Sequence, residues 1–195
     1  YFRFADIALQ GVPCLLSRTG YTGEFGYELY FPAEHAVAFW RRITADGAIK
    51  PGGLGARDTL RLEVGYPLYG HELGPDASPV ATARGQFMDL AKDFIGRPAC
   101  ARDVAQGCAR YLCGLQLDTK RAARSHDKVL QGDRVVGDVT SGSVAPSLGN
   151  AVALAFVDAA LCAPGTALEI EVHGKRLAAR VADVPFYKNG TARRK

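Results

Sequence analysis

Residues 168–181 read LEIEVHGKRLAARV, where His173-Gly174 separates two short runs rich in apolar residues. Such runs are typical of β-strands, and a glycine between them permits the positive φ of a tight hairpin. Runs of similar length recur back to residue 108, and we predict six strands there: 112–117, 128–130, 134–140, 151–156, 168–172 and 176–181. Six short strands separated by turn residues favour a small antiparallel barrel or sandwich.

The chain before residue 108 mixes strands with helices. Hydrophobic periodicity predicts strands at 2–9, 12–18 and 27–31 and helices at 33–46, 54–64 and 96–106. The first helix is predicted to carry four apolar residues near one face. That face comprises Val37, Phe39, Trp40 and Ile43. We therefore predict an α+β fold, with an α+β domain at 1–107, a C-terminal antiparallel β-barrel at 108–190 and a tail at 191–195; an all-β fold is the alternative.

Composition narrows the classes of protein. The 195 residues are 48% hydrophobic and 23% charged, which predicts a soluble globular protein with a sizeable core. No apolar run approaches the roughly 20 residues of a membrane span, and residues 1–10 lack the order of a signal peptide. The net charge of +4 gathers at 120–124 and 193–195 without interleaved aromatic residues, which argues against a nucleic-acid partner.

Cysteine and histidine usage excludes further kinds of site. The five cysteines form no C-x-x-C pair, so we expect reduced, buried thiols in a cytoplasmic protein. The four histidines show no metal-ligand spacing, and no metal is predicted. The chain begins at Tyr1 rather than Met, within a predicted strand, so we expect it to be a fragment of a longer protein.

Residues 17–31, SRTGYTGEFGYELYF, set three glycines and two acids among aromatic side chains. The glycine spacing matches no nucleotide-binding loop, and a tight connection between strands is one interpretation. If 27–31 is a strand, Glu28 and Tyr30 share one face. A carboxylate among aromatic residues needs hydrogen-bond donors. An internal arginine would supply them, and so would a planar ligand edge with two parallel N–H groups, as in a pterin.

Arg57 and Arg61 stand four residues apart on one predicted helix, where like charges repel. An anion is therefore expected near them. Asp58 and Glu63 do not have the favourable spacing from both arginines, which leaves Glu28, another acid or a ligand carboxylate as candidates. A structural ion pair and ligand binding both remain open.

Five motifs resemble the C-terminal portion of the glycine cleavage system T protein, the aminomethyltransferase family. They span about residues 15–187 in the family's order: SRTGYTGEFGYELYFP, GLGARDTLRLEVGYPLYGHEL, DFIGR, VVGDVTSGSVAPSLGNAVALAFV and VPFYK. The resemblance implies a partial folate-binding α+β domain followed by the family's C-terminal barrel. It also implies transfer of an aminomethyl carbon from the lipoylated H protein to tetrahydrofolate, which gives 5,10-methylenetetrahydrofolate and ammonia.

The resemblance implies three folate-binding residues in this chain. Glu28 matches the family's pterin-contacting glutamate, Arg57 its folate-contacting arginine, and Tyr21 the tyrosine that opens the loop motif. Glu24 and Arg61 are left without a functional role and are interpreted as structural. The family's catalytic aspartate lies in an N-terminal half that this chain lacks, so no catalytic residue is assigned here.

Other classes of protein share this architecture. One is the folate domain fused behind the flavin domains of sarcosine or dimethylglycine dehydrogenases, and another is a non-enzymatic barrel used for protein interaction. Folate-binding relatives that assist iron–sulfur proteins carry a cysteine in the loop, whereas residues 17–28 contain none. Residues 79–93 lack the family's usual acid and glycine pattern, and the tail after residue 186 aligns too poorly for any residue to be assigned.

Overall fold

The structure, a computed structural model, describes residues 1–193 and forms two compact units. Unit 1 comprises Tyr1–Arg61 together with the segment that begins at Asn189, and unit 2 comprises Leu62–Lys188. Arg194 and Lys195, the end of the predicted 191–195 tail and of its basic cluster, lie outside the described residues. The predicted domain boundary near residue 107 stays a prediction, because a division into compact units does not test a boundary between domains.

Unit 1 contains a three-stranded antiparallel sheet in the order β1-β2-β3. Its elements are β1 (Phe4–Leu9), β2 (Val12–Ser17), β3 (Glu28–Tyr30), α1 (Ala36–Thr44) and α2 (Leu54–Glu63), whose last two residues belong to unit 2. Gln10 and Gly11 have φ values of 52° and 81°, so two residues suffice to join β1 to β2. The elements agree with the predicted ones, apart from a 3-10 turn at Ala33–His35 that replaces the first turn of the predicted helix.

The apolar residues predicted near one face of α1 are buried only in part. Phe39 is buried, and its ring centroid lies 4.6 Å from that of Phe31. Val37, Trp40 and Ile43 are instead 61%, 57% and 40% exposed. The helix therefore packs along the edge that carries Phe39, since Phe31 lies on that side.

Unit 2 contains α3 (Arg97–Gln106) and a closed six-stranded barrel, which confirms the predicted fold class. The strands are β4 (Arg110–Leu117), β5 (Lys128–Gln131), β6 (Arg134–Ala145), β7 (Asn150–Asp158), β8 (Ala167–Val172) and β9 (Lys175–Ala182). They are antiparallel throughout, in the order β4-β7-β6-β5-β8-β9. His173 and Gly174 have φ values of 49° and 71°, as the predicted hairpin requires. Buried aliphatic side chains such as Leu115, Val139 and Ile170 form the barrel core.

Strand β6 continues five residues beyond its predicted end at residue 140. A register shift between Val139 and Ser141 lets the small residues that follow continue the pairing with β7. A Cβ atom on Gly142 would lie 2.4 Å from the carbonyl oxygen of Ala123, so the backbone approaches too closely for a side chain there. Small residues that resemble a loop in the sequence are therefore required within this strand.

All five cysteines are free of disulfides, but only Cys14 and Cys113 are buried. Burial raises the pKa of the Cys113 thiol, and a hydrogen bond with Cys162 adds to the effect. The expectation that every thiol is buried is therefore wrong. Within residues 1–193, no helix is long and apolar enough to cross a membrane, and no cluster of three metal-ligating side chains is present.

Candidate functional site

Strand β3 determines where the side chain of Glu28 points. Its pairing with β2 sets Glu28 opposite Ser17 and Tyr30 opposite Leu15. Because side chains alternate along a strand, Glu28 and Tyr30 lie on one face of the sheet, as the alternation in the sequence predicts. Leu29 points to the other face, opposite Leu16.

The hydrogen-bond partner of Glu28 is a hydroxyl group rather than a cation. The Oγ1 atom of Thr19 donates a short hydrogen bond to Oε2 of Glu28, and it lies 2.8 Å from Oγ of Ser17. Within the described residues, Glu28 forms no ion pair, and its Oε1 atom takes part in no hydrogen bond. The half-buried carboxylate therefore keeps acceptor capacity, although the surrounding aromatic side chains do not enclose it as the sequence suggested.

The structure brings Tyr21 and Arg57 together. The Cζ atom of Arg57 lies 4.7 Å from the centroid of the Tyr21 ring, a distance typical of a cation–π interaction. Arg57 is exposed on the first turn of α2, whereas Tyr21 is half-buried. Glu28 makes its hydrogen bond to Thr19 and not to either member of this pair.

The aromatic residues at the end of the loop have a basic neighbour of their own. The Cζ atom of Arg18 lies 4.8 Å from the ring centroid of Phe25 and 5.8 Å from that of Tyr27. Arg18 was not among the residues predicted from the sequence to form the site.

Arg61 is explained by an ion pair on its own helix. Its Nη2 atom lies 2.6 Å from Oδ1 of Asp58, and its Nε atom donates to the same oxygen at 2.7 Å. The spacing argument that set Asp58 aside as a counter-ion is therefore wrong, because three residues along a helix suffice for this pair. Arg61 is 1% exposed, which agrees with its interpretation as a structural residue.

The C-terminal segment at residues 189–192 contacts the glycine loop at residues 20–26, and the sequence did not predict this contact. The backbone N–H of Thr191 donates to Oε2 of Glu24 at 2.8 Å. The Oγ1 atom of Thr191 donates to the same oxygen and accepts from the backbone N–H of Phe25 at 2.8 Å. The segment therefore supports the loop that contains Tyr21 and leads to Glu28 at the start of β3.

Two cavities are lined only by residues of unit 2, so neither includes the predicted folate-binding residues. One, of about 630 Å³, is lined mainly by residues 70–78 and 102–110. The other, of about 470 Å³, is lined mainly by apolar and aromatic residues between 69 and 88, together with Thr82 and Arg84. The first lining contains both acidic and basic side chains, and the second has few polar groups that point to one place. Neither lining therefore indicates a class of ligand.

Taken together, these features define an α+β protein with a closed antiparallel barrel. It also carries a glycine loop with acidic and aromatic residues, and Tyr21 of this loop contacts Arg57 on α2. The N-terminal domain of the glycine cleavage T protein matches residues 1–92, and the C-terminal barrel domain of that protein matches residues 110–188. The chain therefore belongs to the glycine cleavage T-protein family, which confirms the resemblance.

Individual relatives agree with this assignment. The chain is 47% identical to an aminomethyltransferase of Moorella thermoacetica and 45% identical to one of Cutibacterium acnes, over 96% of this chain and 52% of each relative. It is also similar to the crystal structure of the glycine cleavage system aminomethyltransferase T from Bartonella henselae, with a TM-score of 0.87 and 31% identity over 91% of this chain and 51% of that one. The chain spans about half the length of the relatives it matches.

Proposed function

We propose that this chain supplies the folate-binding wall of an aminomethyltransferase of the glycine cleavage system. The complete reaction would transfer the aminomethyl carbon from the lipoylated H protein to tetrahydrofolate, with 5,10-methylenetetrahydrofolate and ammonia as products. Membership of the T-protein family supports the reaction class. The contacts of Glu28 support the assignment of a binding role to this part of the protein.

The carboxylate of Glu28 carries the proposal. It is half-buried on the sheet, it accepts one hydrogen bond from Thr19, and no cation within the described residues neutralises it. A carboxylate with acceptor capacity matches the two adjacent N–H groups at the amino-pyrimidine edge of a pterin. Tetrahydrofolate would supply the nitrogen that accepts the carbon, and Glu28 would hold and orient the pterin that bears it.

Arg57 and Tyr21 would act as a second contact. The guanidinium of Arg57 lies near the ring of Tyr21, so the stacked tyrosine restricts its position without removing its charge. An arginine held in this way can donate hydrogen bonds to ligand oxygens, including carboxylates. The folate would therefore be bound at two points, by an acid at its pterin end and by an arginine along its length.

No residue of this chain is assigned to catalysis. The family's catalytic aspartate belongs to the N-terminal half, so we infer that this chain binds and orients folate while another segment acts on the reacting nitrogen. By itself the 195-residue chain is expected to bind tetrahydrofolate weakly and to form no 5,10-methylenetetrahydrofolate when it is mixed with lipoylated H protein. Measurable turnover by the isolated chain would contradict this division of roles.

The binding role of Glu28 is tested by titrating tetrahydrofolate into the protein as encoded by its gene. Glu28→Gln keeps the size of the side chain but removes the charge that strengthens two hydrogen bonds. Loss of about 1.5–3 kcal/mol is expected, which raises Kd by roughly 10-fold to 150-fold. Glu34→Gln is the matched control, because Glu34 is an exposed carboxylate in the same unit, and its Kd should equal that of the wild type.

Equal affinity in the wild type and Glu28→Gln would refute the pterin-anchor role. A wild-type protein that binds no tetrahydrofolate would refute the proposed function as a whole. Circular dichroism of each variant must match the wild type, so that a change in Kd reports the site rather than the fold.

A further inference from the structure

The C-terminal segment and the glycine loop are joined by a set of hydrogen bonds centred on one threonine. Thr191 donates both its backbone N–H and its hydroxyl to Oε2 of Glu24, and the hydroxyl also accepts from the N–H of Phe25. One hydroxyl can donate once and accept at the same time, so all three bonds are compatible. The two bonds to the carboxylate are charge-assisted and therefore among the stronger hydrogen bonds in proteins.

The backbones of the two segments are also in close contact. The N–H of Ala192 donates to the carbonyl oxygen of Gly23 at 3.1 Å. A Cβ atom on Gly190 would lie 2.5 Å from that same oxygen, which no side chain tolerates. Gly23 has a φ of 75° and is buried, so its carbonyl is presented in a conformation that favours glycine. Both glycines thus serve the same contact, at the centre of the loop.

In the sequence, this contact lies between two predicted ligand-binding residues, Tyr21 in the loop and Glu28 at the start of β3. Tyr21 precedes Gly23 by two residues, and Glu28 follows Glu24 by four. The loop between β2 and β3 is rich in glycine, so its unfolded conformations are numerous and its ordering is costly. A carboxylate bonded to a segment 167 residues away restricts those conformations.

We propose that Glu24 and Thr191 form a latch that holds the glycine loop against the C-terminal segment and thereby positions Tyr21 and Glu28 for folate. Glu24 is a positioning residue in this scheme, since it acts through the loop and does not contact the ligand. The inference rests on the proposed function for its ligand, but the latch itself can be measured without one. Binding of folate and closure of the latch should reinforce each other, because both order the same loop.

The experiment compares variants on each side of the latch in the protein as encoded by its gene. Thr191→Val keeps the shape of the side chain but removes the hydroxyl, and Thr191→Ser restores it. Glu24→Ala removes the acceptor from the loop side. Thr191 gives the more specific test, because Glu24 takes part in a further interaction besides its hydrogen bonds to Thr191. Glu34→Gln is again the control for an exposed carboxylate.

Two readouts separate the latch from the ligand site. Hydrogen exchange of the Phe25 amide, measured without ligand, should be about tenfold faster in Thr191→Val and in Glu24→Ala, and near the wild-type rate in Thr191→Ser. The Kd for tetrahydrofolate should rise about 5-fold to 20-fold in the first two variants and recover in Thr191→Ser. Exchange at residues of the barrel should not change, which shows that the rest of the fold is intact.

The possible failures are distinguishable. Unchanged exchange in Thr191→Val would show that the latch does not order the loop, and it would overturn the proposal. Faster exchange with an unchanged Kd would overturn the positioning role. If the wild type itself binds no tetrahydrofolate, the proposed function fails, and the positioning role fails with it. If the wild type binds tetrahydrofolate, and the variants match it in both Kd and Phe25 exchange rate, the latch is refuted while the proposed function stands.

Discussion

The cation–π contact between Tyr21 and Arg57 gives a prediction that can be tested without any ligand. The two residues lie 36 positions apart in the sequence, and the guanidinium carbon is 4.7 Å from the ring centroid. If the contact orders the loop without any ligand, the two side chains must be energetically coupled in the unliganded protein. A double-mutant cycle with Tyr21→Leu, Arg57→Met and the double variant measures this coupling.

The structure indicates the size of the coupling. Arg57 is exposed, so the solvent weakens the attraction, and a value at the lower end of the known range is expected: about 0.5–1 kcal/mol. This corresponds to a factor of roughly 2–5 in the unfolding equilibrium constant. Other contacts of Tyr21 are lost in both arms of the cycle and therefore cancel, which is why the cycle is preferable to either single variant.

The assay is urea unfolding of the 195-residue chain followed by tryptophan fluorescence. Trp40, the single tryptophan, lies on α1 in unit 1, so its signal reports the unit that contains the contact. A control cycle pairs Arg57→Met with Tyr27→Leu, because Tyr27 lies beside Arg18 instead. Additivity of Tyr21 and Arg57 within about 0.3 kcal/mol, equal to the control cycle, would show that the contact does not stabilise the loop.

Two further predictions concern the barrel. Gly137→Ala should lower the free energy of unfolding by about 2–3 kcal/mol in denaturant titrations followed by circular dichroism, since a Cβ atom there would lie 2.3 Å from the carbonyl oxygen of Phe156; Gly74→Ala, with open space around it, should change it by less than about 0.5 kcal/mol. The hydrogen bond from Lys128 lowers the pKa of Asp138, so the carboxylate stabilises the fold above its unfolded-state pKa and loses this effect as pH falls through its folded-state pKa. Asp138→Asn should therefore reduce Tm at neutral pH. The corresponding loss in the free energy of unfolding should be under about 1 kcal/mol, because the Asp138 side chain is 36% exposed. The difference in Tm between the variant and the wild type should vanish as the pH falls below about 4, and a constant difference across this range would contradict the assignment.

Most of the secondary structure could be predicted from the sequence because it follows local periodicity and turn residues. The hairpin at His173-Gly174 is an example, since its positive φ values are a property of two adjacent residues. The end of β6 could not be predicted in this way. Its continuation through Gly142 depends on a register shift against β7 and on the nearby carbonyl of Ala123, and both are tertiary features.

In the candidate site too, local features could be predicted from the sequence, whereas tertiary contacts could not. Alternation along β3 correctly placed Glu28 on the same face as Tyr30. The hydrogen-bond donor to the Glu28 carboxylate, the hydroxyl of Thr19, could not be identified from the sequence. A hydroxyl nine residues earlier and an arginine far away in the sequence are both suitable donors, and the sequence does not show which one lies nearby. The bond from Thr191 to Glu24 joins residues 167 positions apart, a separation at which single-sequence patterns give no information.

The choice of partners at the site bears on what it can bind. A buried arginine beside Glu28 would have neutralised the acid, and a carboxylate beside Arg57 would have neutralised the base. Instead Glu28 accepts from a neutral hydroxyl, and Arg57 lies near an aromatic ring. Within the described residues, each charge is thus held in position without a counter-charge beside it. A ligand with N–H donors at one end and anionic oxygens elsewhere would meet both charges with little rearrangement, which is the chemistry that a reduced folate offers.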